Sequence, residues 1–222
     1  MTEVADFLSV DWDVPRKPYP AKALTLATGE KMVIREASRE EVPQLLMAIR
    51  PLLDAPGEFY DVVAARTYAE LLGWHRYRVR NEYCLVGVVD GKLVGLVNNR
   101  LVDKDLCVSL HTIAMRKGRS VGAHLFAAKQ EHAIEYLGVS EILVTAESPR
   151  GFNLLVVNWG LEPRPGVQHE LGGAKSWVLT KENYYKHKDE QVFGKRPVPG
   201  DLYEQSLNFE LIEPDIMRLE SD

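Results

Sequence analysis

One stretch, from Leu106 to Gly160, constrains the fold more than any other part of this chain. Leu106–Met115 is an apolar, strand-like run, and Met115-Arg116-Lys117-Gly118-Arg119-Ser120-Val121-Gly122-Ala123 is a small and basic turn. Val121, Leu125 and Ala128 then recur at helical spacing up to about Tyr136, and Gly138 suits the end of that helix. Glu141–Ala146 is a second β-branched run. A long helix between two strands lets them lie parallel through a right-handed crossover. Phe152–Asn158 reads as a brief helix closed by Trp159-Gly160.

Upstream, Met32–Arg35 begins a strand, and Ser38 with Glu41 three residues on has capping-box spacing. Leu45, Leu46, Ile49, Leu52 and Leu53 follow at helical spacing, and a second helical segment is expected over Val62–Leu72. From Glu82 the pattern becomes that of strands. Tyr83–Val89, Asp90-Gly91 and Leu93–Val102 read as a hairpin with a favoured two-residue turn. Asp103-Lys104-Asp105 is a polar break, so these strands and Leu106–Met115 should run antiparallel. Val167–Leu171 and Ser176–Thr180 read as a closing hairpin around Gly172-Gly173. Residues 1–30, with Pro15, Pro18 and Pro20, are expected to form an irregular N-terminal arm, 31–181 the domain, and 182–222 a C-terminal arm.

A chain of 222 residues of ordinary apolar and charged content suffices for one core with extensions. No run has the length and apolarity of a membrane span, and the acidic start lacks a secretory signal's order of basic then apolar residues. Cys84 and Cys107 lie in apolar runs and read as small buried hydrophobes in a reducing compartment, so a cytoplasmic location is expected. A net charge of −5 argues against a general nucleic-acid binder but leaves room for a local basic pocket. No set of His, Cys and carboxylate residues has metal-ligand spacing, so no metal is expected.

The basic turn carries the chemistry. Backbone N–H groups at a helix start lack intrahelical partners and sit at the positive end of the helix dipole. A small-residue turn there can close around a phosphate, and Arg116, Lys117 and Arg119 add charge. The signatures GxxxxGK[ST] and GxGxxG are absent. Taken alone, the turn reads equally as an anion site or as an ordinary basic helix start.

Element order separates these readings. Over about Met32–Thr180 the order of strand, two helices, three strands, turn, helix, strand, helix and hairpin resembles the GNAT (Gcn5-related N-acetyltransferase) superfamily. The family's acyl-CoA motif is Arg or Gln, two residues, Gly, one residue, then Gly or Ala. It falls on Lys117-Gly118-Arg119-Ser120-Val121-Gly122, with Lys117 replacing the usual Arg or Gln and Ser120 the usual central Gly. The resemblance implies an α/β (α+β) fold: a mixed, mostly antiparallel sheet, flanked by helices, with a central parallel strand pair that splays. It implies acetyl-CoA, or another acyl-CoA, as co-substrate. Main-chain groups of Ile113, Ala114 and Met115 would pair with the pantetheine arm. Lys117, Gly118, Arg119, Ser120, Val121, Gly122 and Ala123 would hold the pyrophosphate. Asn153 or Asn158 would contact the carrier's amides, unless both are helix-surface residues.

Attack of an amine on a thioester needs a base, a donor for the oxyanion and an acid for the departing thiolate. Strand periodicity places Ser109, His111, Ile113 and Met115 on one face. By the resemblance, His111 and Ser109 fall where relatives carry histidines that help deprotonate the amine; the plainer reading of His111 is a buried, satisfied histidine. Glu147, directly after the parallel strand, would bind an ammonium or act as base through water, or is only a charge before Ser148-Pro149. The tyrosine that many relatives use as acid is replaced by Val156, and no residue is assigned to that role. His132 reads as a core histidine, and His169 with Glu170 as facing the acceptor side.

Two functions are consistent with these residues. One is an N-acetyltransferase acting on a primary amine of a small molecule or protein, without nucleic-acid or membrane partners. The other is a non-catalytic acyl-CoA-binding sensor or regulatory module. A homodimer is a further expectation, since both arms need a docking surface.

Overall fold

The computed structural model describes residues 17–55, 60–79, 81–146, 151–171 and 175–215. The expected hairpin is formed by β3 (Glu82–Val89) and β4 (Lys92–Leu101). Asp90 at φ 48° and Gly91 at φ 69° both take the left-handed conformation that a type I′ turn requires. Every residue of β3 is buried, as befits a strand covered on both faces.

Around this hairpin the chain builds a mixed sheet with β1 (Lys22–Thr25), β2 (Lys31–Glu36), β5 (Leu106–Ala114), β6 (Glu141–Thr145), β7 (Glu162–Pro163) and β8 (Ser176–Thr180). The strand order is β1-β2-β3-β4-β5-β6-β8-β7, and β5–β6 is the one parallel pair among the described strands. That pairing covers Leu106↔Glu141 to Val108↔Leu143 and then stops. Beyond it β5 stays with β4 up to Ala114, while β6 stays with β8 up to Thr145. The sheet therefore forks at its centre.

Helices α1 (Val42–Ile49) and α2 (Tyr60–His75) cover one face of the sheet, and α3 (Val121–Glu131) covers the other. Leu45, Ile49 and Leu71 pack with Val86, Val88, Leu96, Ile113 and Met115. On the opposite side Val121, Leu125 and Ala128 pack with Leu85, Val89, Val94 and Val97. Alternate strand residues thus feed two cores, each buried Leu contributing roughly 1.5–3 kcal/mol. Gly95 permits the close approach of α3. A Cβ there would lie 2.6 Å from the Ile113 carbonyl oxygen and 2.7 Å from Leu125 Cδ1.

Helices α4 (Lys181–Gln191) and α5 (Gly200–Leu207) complete the described elements. The stretch expected to be irregular up to residue 30 contains β1, which pairs with β2. Its short KALT pattern opens on a buried lysine, which hid it. Glu131 of α3 accepts from Lys22 Nζ at 2.6 Å, from Tyr19 Oη at 2.7 Å and from Arg196 Nη1 at 2.9 Å. Burial would raise the Glu131 carboxyl, but these hydrogen bonds hold it below the usual range.

The closing hairpin differs from expectation. β8 pairs with Glu162–Pro163, not with Val167–Leu171, which runs as turn and loop after Gly166 at φ 82°. Gly172-Gly173 lies outside the described residues. Cys84 and Cys107 are free and buried, and burial pushes the Cys107 thiol up to about 12. Among the described residues no helix is long and apolar enough to cross a membrane.

Candidate active site

A cavity of about 640 Å³ occupies the fork. Ser109–Ala114 of β5 form one wall, with Thr145 and Ala146 at the end of β6. Gly122, Ala123, Phe126 and Lys129 of α3 line it from one side, Tyr60 and Val63 of α2 from the other. Leu154, Leu155 and Leu171 add apolar surface.

The basic turn lies between β5 and α3, and Gly122 and Ala123 of the helix's first turn reach the cavity. Gly118 has φ 75°, and Ser120 takes the left-handed conformation (φ 57°, ψ 17°) that a glycine adopts freely. Ser120 makes no side-chain cap, so no serine oxygen competes for the N–H groups of the first turn. Among the described residues, the N–H groups of Val121, Gly122 and Ala123 have no acceptor. A Cβ on Gly122 would meet Ala114 Cβ at 3.5 Å and Thr112 Cγ2 at 3.8 Å, ordinary contacts. Val121 itself is core. Arg116 and Arg119 both pair with Glu30, and the Lys117 N–H donates to Asp215 Oδ2 at 3.0 Å. Two carboxylates thus already hold part of the turn's charge. Lys117 Nζ lies 5.7 Å from the Tyr60 ring centroid. Ile113 and Met115 are buried against α1 and α2, and Ala114 opens onto the cavity.

The other end of β5 is buried and polar. Ser109 pairs with Asn99 and Thr112 with Val97, so β5 carries one extra residue opposite Asn98. This bulge breaks the strand period. His111 faces α2, whereas Ser109, in register with Asn99, lies on the α3 face with Val97; the expectation of one shared face is thereby corrected. The bulged His111 N–H donates to Asn98 Oδ1 at 2.9 Å. Asn98 Nδ2 in turn donates to Glu70 at 2.6 Å and to Glu82 at 2.9 Å. His111 Nε2 lies 3.2 Å from Glu70 Oε1. Arg100 bridges Glu82 and Glu170, each at 3.0 Å. Burial drives the Glu82 carboxyl up to about 7, with the Glu70 charge adding to it against the bonds from Asn98 and Arg100.

Two more basic groups converge here. Lys129 Nζ donates to the His111 carbonyl at 3.0 Å from the α3 side. His169 Nδ1 accepts the Leu171 N–H at 3.2 Å. Among the described residues its buried Nε2 has no hydrogen-bond partner. Burial pushes His169 down to about 4. His132 is a core histidine, edge-on to the Tyr19 and Tyr83 rings.

Glu147 lies outside the described residues. Asn153 is exposed on the short helical turn Phe152–Val157 and is not in the cavity wall, whereas Leu154 and Leu155 are. Val156 is buried in the core. Reading the sequence missed Glu70, Asn98, Glu82 and Lys129. A signal existed for two of them: Asn98 interrupts an apolar strand, and Lys129 lies at helical spacing from Phe126 and Ala133.

No family model and no curated protein matches the chain. Solved structures do. An uncharacterized protein from Bacillus halodurans superposes with a TM-score of 0.56 at 10% identity, covering 78% of this chain and 97% of that one. The GNAT domain of S. lividans PAT gives 0.54 at 13% identity, over 72% of this chain and 96% of that chain. Mycobacterium smegmatis RimJ, solved with CoA-disulfide, gives 0.52 at 13%, over 80% and 95%. Such identities speak to architecture alone, and with the forked sheet, the bulged β5 and the turn before α3 they settle one point: the chain has the fold of the GNAT N-acetyltransferases.

Proposed function

We propose that this protein transfers an acyl group from an acyl-CoA, acetyl-CoA in the first instance, to a primary amine. One observation carries the reading. A single cavity joins the helix start beside the basic turn, where N–H groups lack acceptors, to a histidine–carboxylate pair at the bulge. The pyrophosphate would take the N–H groups of Val121, Gly122 and Ala123 at the positive end of α3. The pantetheine arm would follow the edge of β5 that separation from β6 leaves open, as an added strand does. RimJ, of the same fold, was solved with CoA-disulfide, which supports CoA as the carrier.

His111 is the base. With its Nε2–H directed at Glu70, the lone pair on Nδ1 takes the proton of the incoming ammonium, and the Glu70 carboxylate stabilises the imidazolium. The amine nitrogen then bonds to the thioester carbonyl carbon, and the C–S bond breaks to release the CoA thiolate. The Glu70 carboxylate beside His111, which Arg100 does not pair, suits a cationic acceptor. Incubation with acetyl-CoA and a panel of amines, following free thiol, tests the reading. His111→Ala should lower kcat by about 10²–10⁴-fold with little change in CoA affinity. If CoA binds in the calorimeter and no amine gives turnover, the enzyme reading fails. The sensor alternative then stands, and the burial of Val156, where relatives carry an acid, favours it.

A further inference from the structure

Lys129 is the buried lysine whose surroundings the transfer reaction leaves unexplained. Gly122, Phe126 and Lys129 form one stripe of α3 along the cavity, and the helical rise sets Lys129 about 10 Å deeper than Gly122. The side chain is 1% exposed. Its Nζ has two acceptors, the His111 carbonyl at 3.0 Å and Thr112 Oγ1 at 3.4 Å. Among the described residues no carboxylate lies within ion-pair distance of it. An ammonium has three N–H donors, whereas a neutral amine has two and a lone pair. Two acceptors match the neutral amine. The ammonium's third donor would have only the Phe126 ring, its centroid 5.4 Å from Nζ. Burial lowers the Lys129 amine to about 7, the nearby Cys107, Glu70 and Cys84 opposing it only in part. His111 on β5 and His169 on the β7–β8 loop are the remaining titratable groups close by.

We propose that Lys129 is a self-acylation site, its amine taking the acyl group of a thioester held in the fork cavity. The lone pair of Nζ bonds to the thioester carbonyl carbon, the C–S bond breaks, and the proton lost by nitrogen goes to the departing thiolate. An amide and a free thiol result. The inference takes its acyl donor from the acyl-CoA reading above. An amide does not pass its acyl group on, so the modified chain carries it in the slot that a second thioester needs. Lys129 thereby records exposure to acyl-CoA when no acceptor amine is present.

The test uses the full chain near neutral pH in two arms, one with acetyl-CoA and one with the small thioester S-acetyl-N-acetylcysteamine, which has no pyrophosphate. Peptide mapping by mass spectrometry reads each lysine, and Lys104, with a side chain 90% exposed, is the internal reference. An exposed lysine near 10.4 is only about 0.1% neutral at this pH, so Lys129 should acquire acetyl more than about tenfold faster than Lys104. Preferential acetylation in the acetyl-CoA arm, with or without the small thioester, supports both the site and its donor. Preferential acetylation by the small thioester alone supports Lys129 and removes the acyl-CoA reading. Lys129 no faster than Lys104 in either arm overturns the inference, and calorimetry with CoA then shows whether the acyl-CoA reading survives it.

Discussion

The two ends of β5 carry similar residue types in opposite surroundings. At the turn end Arg116 and Arg119 are partly exposed and share Glu30, and among the described residues the N–H groups of the first turn of α3 have no acceptor. At the bulge end His111, Asn98 and Glu82 are buried, and each is tied to another member of the network. Charges in water interact weakly and keep near-ordinary titration; buried charges pay desolvation and shift by units. In the proposed function, one end of the strand would bind a charged group from outside, and the other would hold and move protons.

Four substitutions would break or sharpen this contrast. The largest effect belongs to Gly122→Glu. A Cβ fits there, but a longer acidic chain would enter the cleft beside the anion turn. CoA affinity measured by calorimetry should fall about a thousandfold, about 4.1 kcal/mol, with Gly122→Ala retaining binding. Equal binding by Gly122→Glu would dissociate the turn from CoA.

Next comes Asn98→Ala, which leaves the bulged N–H without its acceptor and two carboxylates without their shared donor. Urea denaturation should show a loss of about 3 kcal/mol. A loss no larger than that of a surface mutation would mean that the buried end is no network.

Glu82→Gln probes the same end through pH. The Glu82 carboxyl rises from 4.5 to about 7 in the fold, so the protonated form is favoured there. The stability it contributes is full below 4.5 and is lost as pH rises through 7, on the order of 3 kcal/mol. The glutamine variant should flatten the stability profile across that window. An unchanged profile would place the titration elsewhere.

The smallest effect is expected of Ser120→Gly. Relief of the left-handed serine should stabilise the chain by about 1 kcal/mol or less, seen as a small rise in Tm, with CoA affinity unchanged or improved. Destabilisation would show that Ser120 does more than occupy the glycine's place.

Much of the fold was legible because local rules act over short spans. Asp90-Gly91 specifies its hairpin, and the small, basic turn marks the junction of β5 and α3 even with Lys117 and Ser120 off pattern. The site was legible only in part. His111 stood out as a polar residue in an apolar strand, but its partner Glu70 lies 41 residues away on α2, and no periodicity connects the two. Ser109 was placed on the wrong face because one inserted residue reverses the alternation, and a bulge leaves no mark in composition. β1 was hidden because its first buried side chain is a lysine, paired with Glu131 far along the chain.

By itself, then, the sequence determined the order of elements from β2 to β6, the hairpin, the turn at the start of α3 and the buried cysteines, all set by propensity and by patterns within a few residues. Only the tertiary structure decided where β5 and β6 part, which residue the bulge turns toward α2, and that Lys129 lies dry beside His111. Those outcomes depend on groups brought together from distant segments, whose hydrogen bonds and desolvation exist only once the core has closed around them.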